Sequence, residues 1–167
     1  MAAPTNRIPR PANWQPRPAR DTLPPRFLWK VGNFVMTRLL GGKMGEAIML
    51  ITFTGRKSGK TFTTPIGYTR QGQTLTSFCD SPWQQNLAGG APVTVTIQGR
   101  ALPGRAATVS APDRVAAYVR QHLQNGGPQA ARQMALALPK GYLPTDEELR
   151  IMLRDRVLII IELQDSK

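Results

Sequence analysis

One cysteine, Cys79, and one histidine, His122, are all that 167 residues offer of two side chains that dominate metal binding and nucleophilic catalysis. A lone cysteine closes no internal disulfide, so the chain has no disulfide framework and a cytoplasmic, reducing setting is the simpler expectation. One histidine with one distant cysteine gives no metal-ligand spacing, and no serine, histidine and acid stand in a nucleophile–base pattern. Neither a metal nor a catalytic side chain is therefore expected. Acids are scarce as well, 10 against 22 Lys and Arg, for a formal net charge of +12. Aromatics make up 7% of the residues, and long uncharged apolar runs of membrane-spanning length are missing.

The positive charge is unevenly placed. Residues 1–60 hold 11 Lys/Arg against Asp21 and Glu46, whereas residues 61–167 hold 11 against 8 acids. Such asymmetry calls for an anionic partner of the first third: nucleic acid, a membrane surface or a polyanionic small molecule. Residues 1–26 carry seven prolines and five arginines, without apolar periodicity. They read as a flexible Pro/Arg-rich arm, partly polyproline II, that joins no core. They also lack the apolar run of a secretory signal.

The segment "FLWKVGNFVMTRLL" puts Phe27, Leu28, Val31, Phe34, Val35 and Leu39 at helical spacing. An amphipathic helix is expected over 27–46, ended by "GGKMG", either packing on its own domain or lying on the inner face of a membrane through its basic flanks. From residue 47 the period shortens. "AIMLITFTG", "TFTTPIGYTR", "QTLTSFC", "PVTVTIQG" and "ALPGRAATVS" read as five strands, the last two joined through Gln98, Gly99 and Arg100. No helix between them is long enough for parallel crossovers, so an α+β fold around a small antiparallel barrel is expected, with 47–167 as its domain.

Helices return before the last strand. "PDRVAAYVRQHLQ" opens on Pro112, "PQAARQMALALP" is a softer Ala-rich stretch, and "PTDEELRIMLRD" has Thr145 and Glu148 at capping-box spacing. "RVLIIIEL" then suits a buried closing strand.

The stretch "GRKSGKTFTTP" looks like a phosphate-binding P-loop with one residue missing, because Gly55 and Gly59 enclose three residues where that loop needs four. A true P-loop also opens a helix, and the β-branched and aromatic run that follows Lys60 opens a strand instead. What remains is a strand–turn–strand in which Arg56, Lys57, Ser58 and Lys60 crowd two glycines. Such a turn suits an anion, through close backbone approach and charge-assisted hydrogen bonds.

Together with its surroundings, this turn resembles the deazaflavin-dependent nitroreductase and quinone reductase family, whose fold is a split β-barrel of the FMN-binding type. The likeness rests on "ITFTGRKSGKTFTTPIGY", on "PWQQNLAGGAPVTVTIQG" with its Trp, Asn-Leu and Pro-Val, and on the closing "RVLIIIEL". It covers roughly residues 27–163. The resemblance implies coenzyme F-420, a deazaflavin with a phosphate and a chain of glutamates, as cofactor. Arg56, Lys57 and Ser58 would face that tail, with Lys60 beside them. Thr63, Thr64 and Pro65 would lie along the cofactor, Ser77, Phe78 and Cys79 would approach its ring system, and Trp83 and Asn86 would shape the pocket wall. The implied activity is hydride transfer to a quinone, nitro compound or similar flat acceptor, the chemistry residing in the cofactor. Tyr118 and Tyr142 are candidates to donate to the acceptor's oxygen.

Two positions depart from the family pattern. Phe62 stands where members commonly have a second Arg, and Asp80 lies in a shortened "CDSP" loop where a positive charge is usual. They leave open a split-barrel protein that binds FMN, haem or lipid without this activity. A basic nucleic-acid-binding barrel is disfavoured, since the strands do not interleave exposed aromatics with Lys/Arg as stacking platforms do. A homodimer stays open, with no residue deciding it.

Overall fold

The computed structural model describes residues 9–17, 48–134 and 136–164. The helix expected over 27–46 lies outside them, so the membrane contact drawn from it has no structural counterpart here. Among the described residues no helix is long and apolar enough to cross a membrane. The described residues divide between two compact units, one of 48–110 and 156–164, the other of 9–17 and 111–155.

The first unit is a seven-stranded, wholly antiparallel sheet. Its strands are β1 (Ile48–Thr54), β2 (Thr61–Gly67), β3 (Thr69–Gln71), β4 (Thr74–Cys79), β5 (Ala91–Ile97), β6 (Arg100–Val109) and β7 (Val157–Leu163). They are ordered β2-β1-β5-β6-β7-β4-β3. All five strands expected between 47 and 110 are present, and "RVLIIIEL" enters the sheet between β6 and β4. One of them, "TFTTPIGYTR", is divided at Tyr68, because the chain leaves β1 at Gly67 and takes β4 as its partner from Thr69. The two ends of the sheet are thus one bent strand. Ser77 Oγ on β4 donates to the Gly67 carbonyl at 2.6 Å, and the hydroxyls of Thr69 and Thr76 meet at 2.6 Å. These links hold the sheet curled as the antiparallel split barrel expected from the sequence.

Alternation decides what fills it. Met49, Ile51 and Phe53 from β1, Leu75 and Cys79 from β4, Val93 and Val95 from β5, and Ile159 and Ile161 from β7 form one buried cluster with Leu87 and Ala106. The prolines obey the same hydrogen-bond logic. Pro65 lies on the end strand β2; Pro92 precedes the span of β5 that pairs with β1, and Pro103 precedes the span of β6 that pairs with β7. Each missing N–H therefore falls where one side of the strand has no ladder partner. The β5–β6 turn has positive φ at both Gln98 (49°) and Gly99 (80°), as a two-residue hairpin of matching twist demands.

The second unit holds α1 (Pro112–Gln133) and α2 (Asp146–Met152). Within Pro112–Gln133 the backbone leaves helical geometry at Gly127 (φ 54°, ψ −140°), so two helical stretches meet there, as the two segments expected from the sequence. The capping box at the start of α2 forms as its spacing predicts: Thr145 Oγ1 accepts from the Glu148 amide, and Glu148 Oε2 accepts from the Thr145 amide at 2.8 Å.

Glu148 also gathers the N-terminal stretch 9–17, which the sequence assigns to the flexible arm. Its buried carboxylate accepts from Tyr142 at 2.8 Å and pairs with Arg10 at 3.4 Å. Trp14 Nε1 donates to the Ala137 carbonyl at 3.2 Å, and its ring meets Tyr142 edge-on with centroids 5.1 Å apart. Proline and arginine spacing reveals none of this, because the partners lie more than a hundred residues away.

Two predictions follow from packing and charge. A Cβ at Gly104 would sit 3.0 Å from the Glu162 carbonyl and 3.1 Å from Ile161 Cγ2, so Gly104→Val is expected to cost about 1–3 kcal/mol in urea unfolding by overpacking. Burial raises the Glu148 pKa, but the Thr145 amide, the Tyr142 and Thr145 hydroxyls and Arg10 outweigh it and hold the carboxyl below its ordinary 4.5. A depressed folded-state pKa means stability that is present above the unfolded value and lost as pH falls through the folded one. Thermal melts from pH 6 downward (about 6 to 3) should show a loss in the acid range that Glu148→Gln removes.

Candidate functional site

Antiparallel pairing of β1 with β2 forces the intervening residues into a tight reversal at one end of the barrel. The Gly55 amide donates to the Lys60 carbonyl and the Gly59 amide to the Gly55 carbonyl, each at 2.8 Å. Gly59 has φ 65°, a conformation that suits glycine. Gly55 is glycine for space: a Cβ there would lie 2.7 Å from Phe62 Cε2 and 2.8 Å from Ser58 Oγ. No helix follows, which confirms that the turn is not a P-loop. Arg56, Lys57, Ser58 and Lys60 are all exposed on it, and Ser58 Oγ accepts from the Lys60 amide at 3.3 Å.

Asn86 ties the turn to the 3₁₀ segment Pro82–Leu87. Its Oδ1 accepts from the Arg56 amide at 2.9 Å, while its Nδ2 donates to the Trp83 carbonyl at 2.8 Å. The Arg56 guanidinium donates through Nη2 to the Ala88 carbonyl. Beyond Ala88 the chain bends through Gly89 (φ 78°) and Gly90 (φ 92°) into β5. Arg56 and Asn86, thirty residues apart in sequence, are thus one construction, with Trp83 held through its backbone by the same amide.

An aromatic stack runs beside it. Phe62 on β2 stacks on Phe53 of β1 (centroids 5.9 Å, 27°), and Phe53 on Trp83 (5.0 Å, 19°). Phe53 is buried, Trp83 half-buried, and Phe62 is 45% exposed. In the sequence Phe62 registers only as the loss of an arginine. Strand alternation could have found its role, since Phe62 and Phe53 are register partners on one face.

The remaining sequence-predicted residues do not share one surface. Thr63 faces outward with its hydroxyl 2.9 Å from that of Thr52, and Thr64, the register partner of Ile51, faces the interior. Pro65 is buried on the outer face. On β4, Ser77 and Cys79 point inward and Phe78 between them points outward, as three consecutive strand residues must. Ser77 is committed to Gly67, and Cys79 Sγ accepts from the Ser81 amide at 3.3 Å.

Asp80 has an electrostatic counterpart that sequence spacing hides. Cys79 pairs with Val157 across β4 and β7, which brings Asp80 near Arg156, a residue only 9% exposed. Burial lowers the Arg156 pKa from its ordinary value, and the negative charge of Asp80 opposes that shift. Among the described residues, no three His, Cys, Asp or Glu side chains gather as a metal site. In the helical unit, His122 Nε2 lies 3.0 Å from the Tyr118 hydroxyl and the two rings stack. The Tyr142 hydroxyl donates to Glu148.

No curated protein matches the sequence. Solved structures that are similar include an "F420 Reductase" (14% identity, 72% of this chain and 88% of that one, TM-score 0.41) and an F420-H2 dependent reductase (18%, 70% and 94%, 0.42). An FAD and heme binding protein from Mycobacterium smegmatis is also similar (17%, 80% and 72%, 0.42). Residues 32–139, more than half of the chain, match the family described as F420H(2)-dependent quinone reductase. The protein belongs to that family and is an oxidoreductase that works with a deazaflavin.

Proposed function

We propose that the protein passes hydride from reduced coenzyme F-420 to a quinone or a similarly flat acceptor, and that the Gly55–Lys60 turn holds the cofactor's anionic tail. The observation that carries this reading is a set of three cations, Arg56, Lys57 and Lys60, on one glycine-framed turn. Among the described residues none of them pairs with a carboxylate, whereas Arg10, Arg120 and Arg150 each do. Phosphate and glutamate carboxylates are the groups such a donor set fits, and all three side chains are already exposed to meet them.

When bound, the reduced deazaflavin supplies the hydride. The protein's contribution is binding and orientation. Asn86 fixes the Arg56 backbone, the turn's exposed cations meet the tail, and the Phe62–Phe53–Trp83 stack gives a flat apolar surface with one open end for a planar ring. Asp80 lies near the buried Arg156, whose positive charge offsets part of its own at this end of the barrel.

The test is equilibrium binding of oxidised F-420, followed by fluorescence, with FMN as comparator. Micromolar or tighter, salt-sensitive binding is expected, weakened at least about tenfold in Arg56→Ala/Lys57→Ala, the scale of losing a charge-assisted contact. Asn86→Ala removes no charge, yet a few-fold loss (about 3–10-fold, one neutral hydrogen bond) is expected as the turn loosens. An absence of F-420 binding at micromolar concentrations, with FMN bound instead, would overturn the reading.

A further inference from the structure

The bend that receives Arg56 is approached by a second guanidinium. Arg105 stands on the outward face of β6, opposite Pro92 on β5, and its side chain reaches back along β5 to Gly90. A Cβ at Gly90 would fall 3.2 Å from Arg105 Nε and 3.4 Å from its Nη2. A Cβ at the preceding Gly89 would fall 3.8 Å from Arg56 Nη2. The two adjacent glycines, both at positive φ, thus leave clear the space that two arginines from different parts of the sheet use. Any side chain at residue 90 would meet the Arg105 guanidinium.

Charge around Arg105 is only partly offset. Its register partner on β7 is Glu162, but that carboxylate accepts from Thr74 Oγ1 at 2.9 Å, and among the described residues Arg105 forms no ion pair within 4.0 Å. The Arg105 guanidinium is exposed and lies against the bare backbone of Gly90, one residue from the glycine that Arg56 Nη2 approaches, so both arginines offer donors at one bend to an anion arriving from solvent.

We propose that Arg105 and Arg56 form a two-arginine clamp over the Ala88–Gly90 bend, and that Arg105 binds the phosphate or a glutamate carboxylate of the same cofactor tail. This rests on the reading of the basic turn given above.

The experiment compares two probes on the full chain: oxidised F-420, and the tail-less deazaflavin chromophore that lacks phosphate and glutamates. Arg105→Gln, with an unfolding temperature matching the parent, is expected to weaken F-420 binding roughly tenfold and flatten its salt dependence. Its affinity for the tail-less probe should not change, and Arg105→Lys should recover part of the loss. Unchanged F-420 binding by Arg105→Gln, alongside a parent that binds F-420 and an Arg56→Ala variant that binds it poorly, would overturn the clamp and leave the proposed function standing. Equal weakening for both probes would overturn it as a tail contact. A parent protein that binds neither probe would overturn the proposed function and the clamp with it.

Discussion

The carboxamide of Asn86 is the joint on which the site depends. One end accepts from the Arg56 amide and the other donates to the Trp83 carbonyl, so one side chain joins the β1–β2 turn to the segment leading into β5. Without it, two loops at one end of the barrel would be held by the Arg56–Ala88 contact and packing alone. A buried or half-buried amide with both ends engaged fixes its neighbours more sharply than apolar packing, because each bond is directional. Its gain reaches Lys57, Ser58 and Lys60, which need only ride on a turn whose backbone is already set.

Around that joint, charge and aromatic surface are separated. The exposed cations lie on the turn, and the Phe62–Phe53–Trp83 stack runs into the barrel beside them. The proposed ligand, with an anionic tail and a planar head, would meet both without burying an unpaired charge, which would be expensive. The buried Arg156 shows how the fold manages that expense elsewhere: its desolvation is countered by Asp80 from the neighbouring strand end.

Most of the barrel was legible because alternation is a strong signal: Val93, Val95, Leu75, Ile159 and Ile161 fall on the inner face as their period requires. The capping box of α2 was legible because its two partners are three residues apart. Other features depend on pairings that no local pattern carries. The bend at Tyr68 follows from a change of partner strand, the clasp on Glu148 from residues at opposite ends of the chain, and the approach of Arg105 to Gly90 from the register of β5 with β6. The basic turn could be read as an anion site, whereas Asn86 was legible only as a wall residue. Thr63 and Thr64, like Phe78 among its neighbours, show the limit of carrying a run of consecutive residues onto one surface, since a strand turns every second one away.

The strand prolines bear on how the molecule behaves in company. Among the described residues, a sheet whose two ends are one bent strand leaves the outer side of β2 without a strand partner, and such a side is a template on which another chain could pair. Pro65 withdraws a donor from the middle of that side, as Pro92 and Pro103 do where their own neighbours stop short. Prolines that fit this sheet's own ladder thereby make poor landing places for a foreign strand. A foreign strand laid along β2 would therefore find one hydrogen bond fewer than an unbroken edge offers, at the residue opposite Leu50.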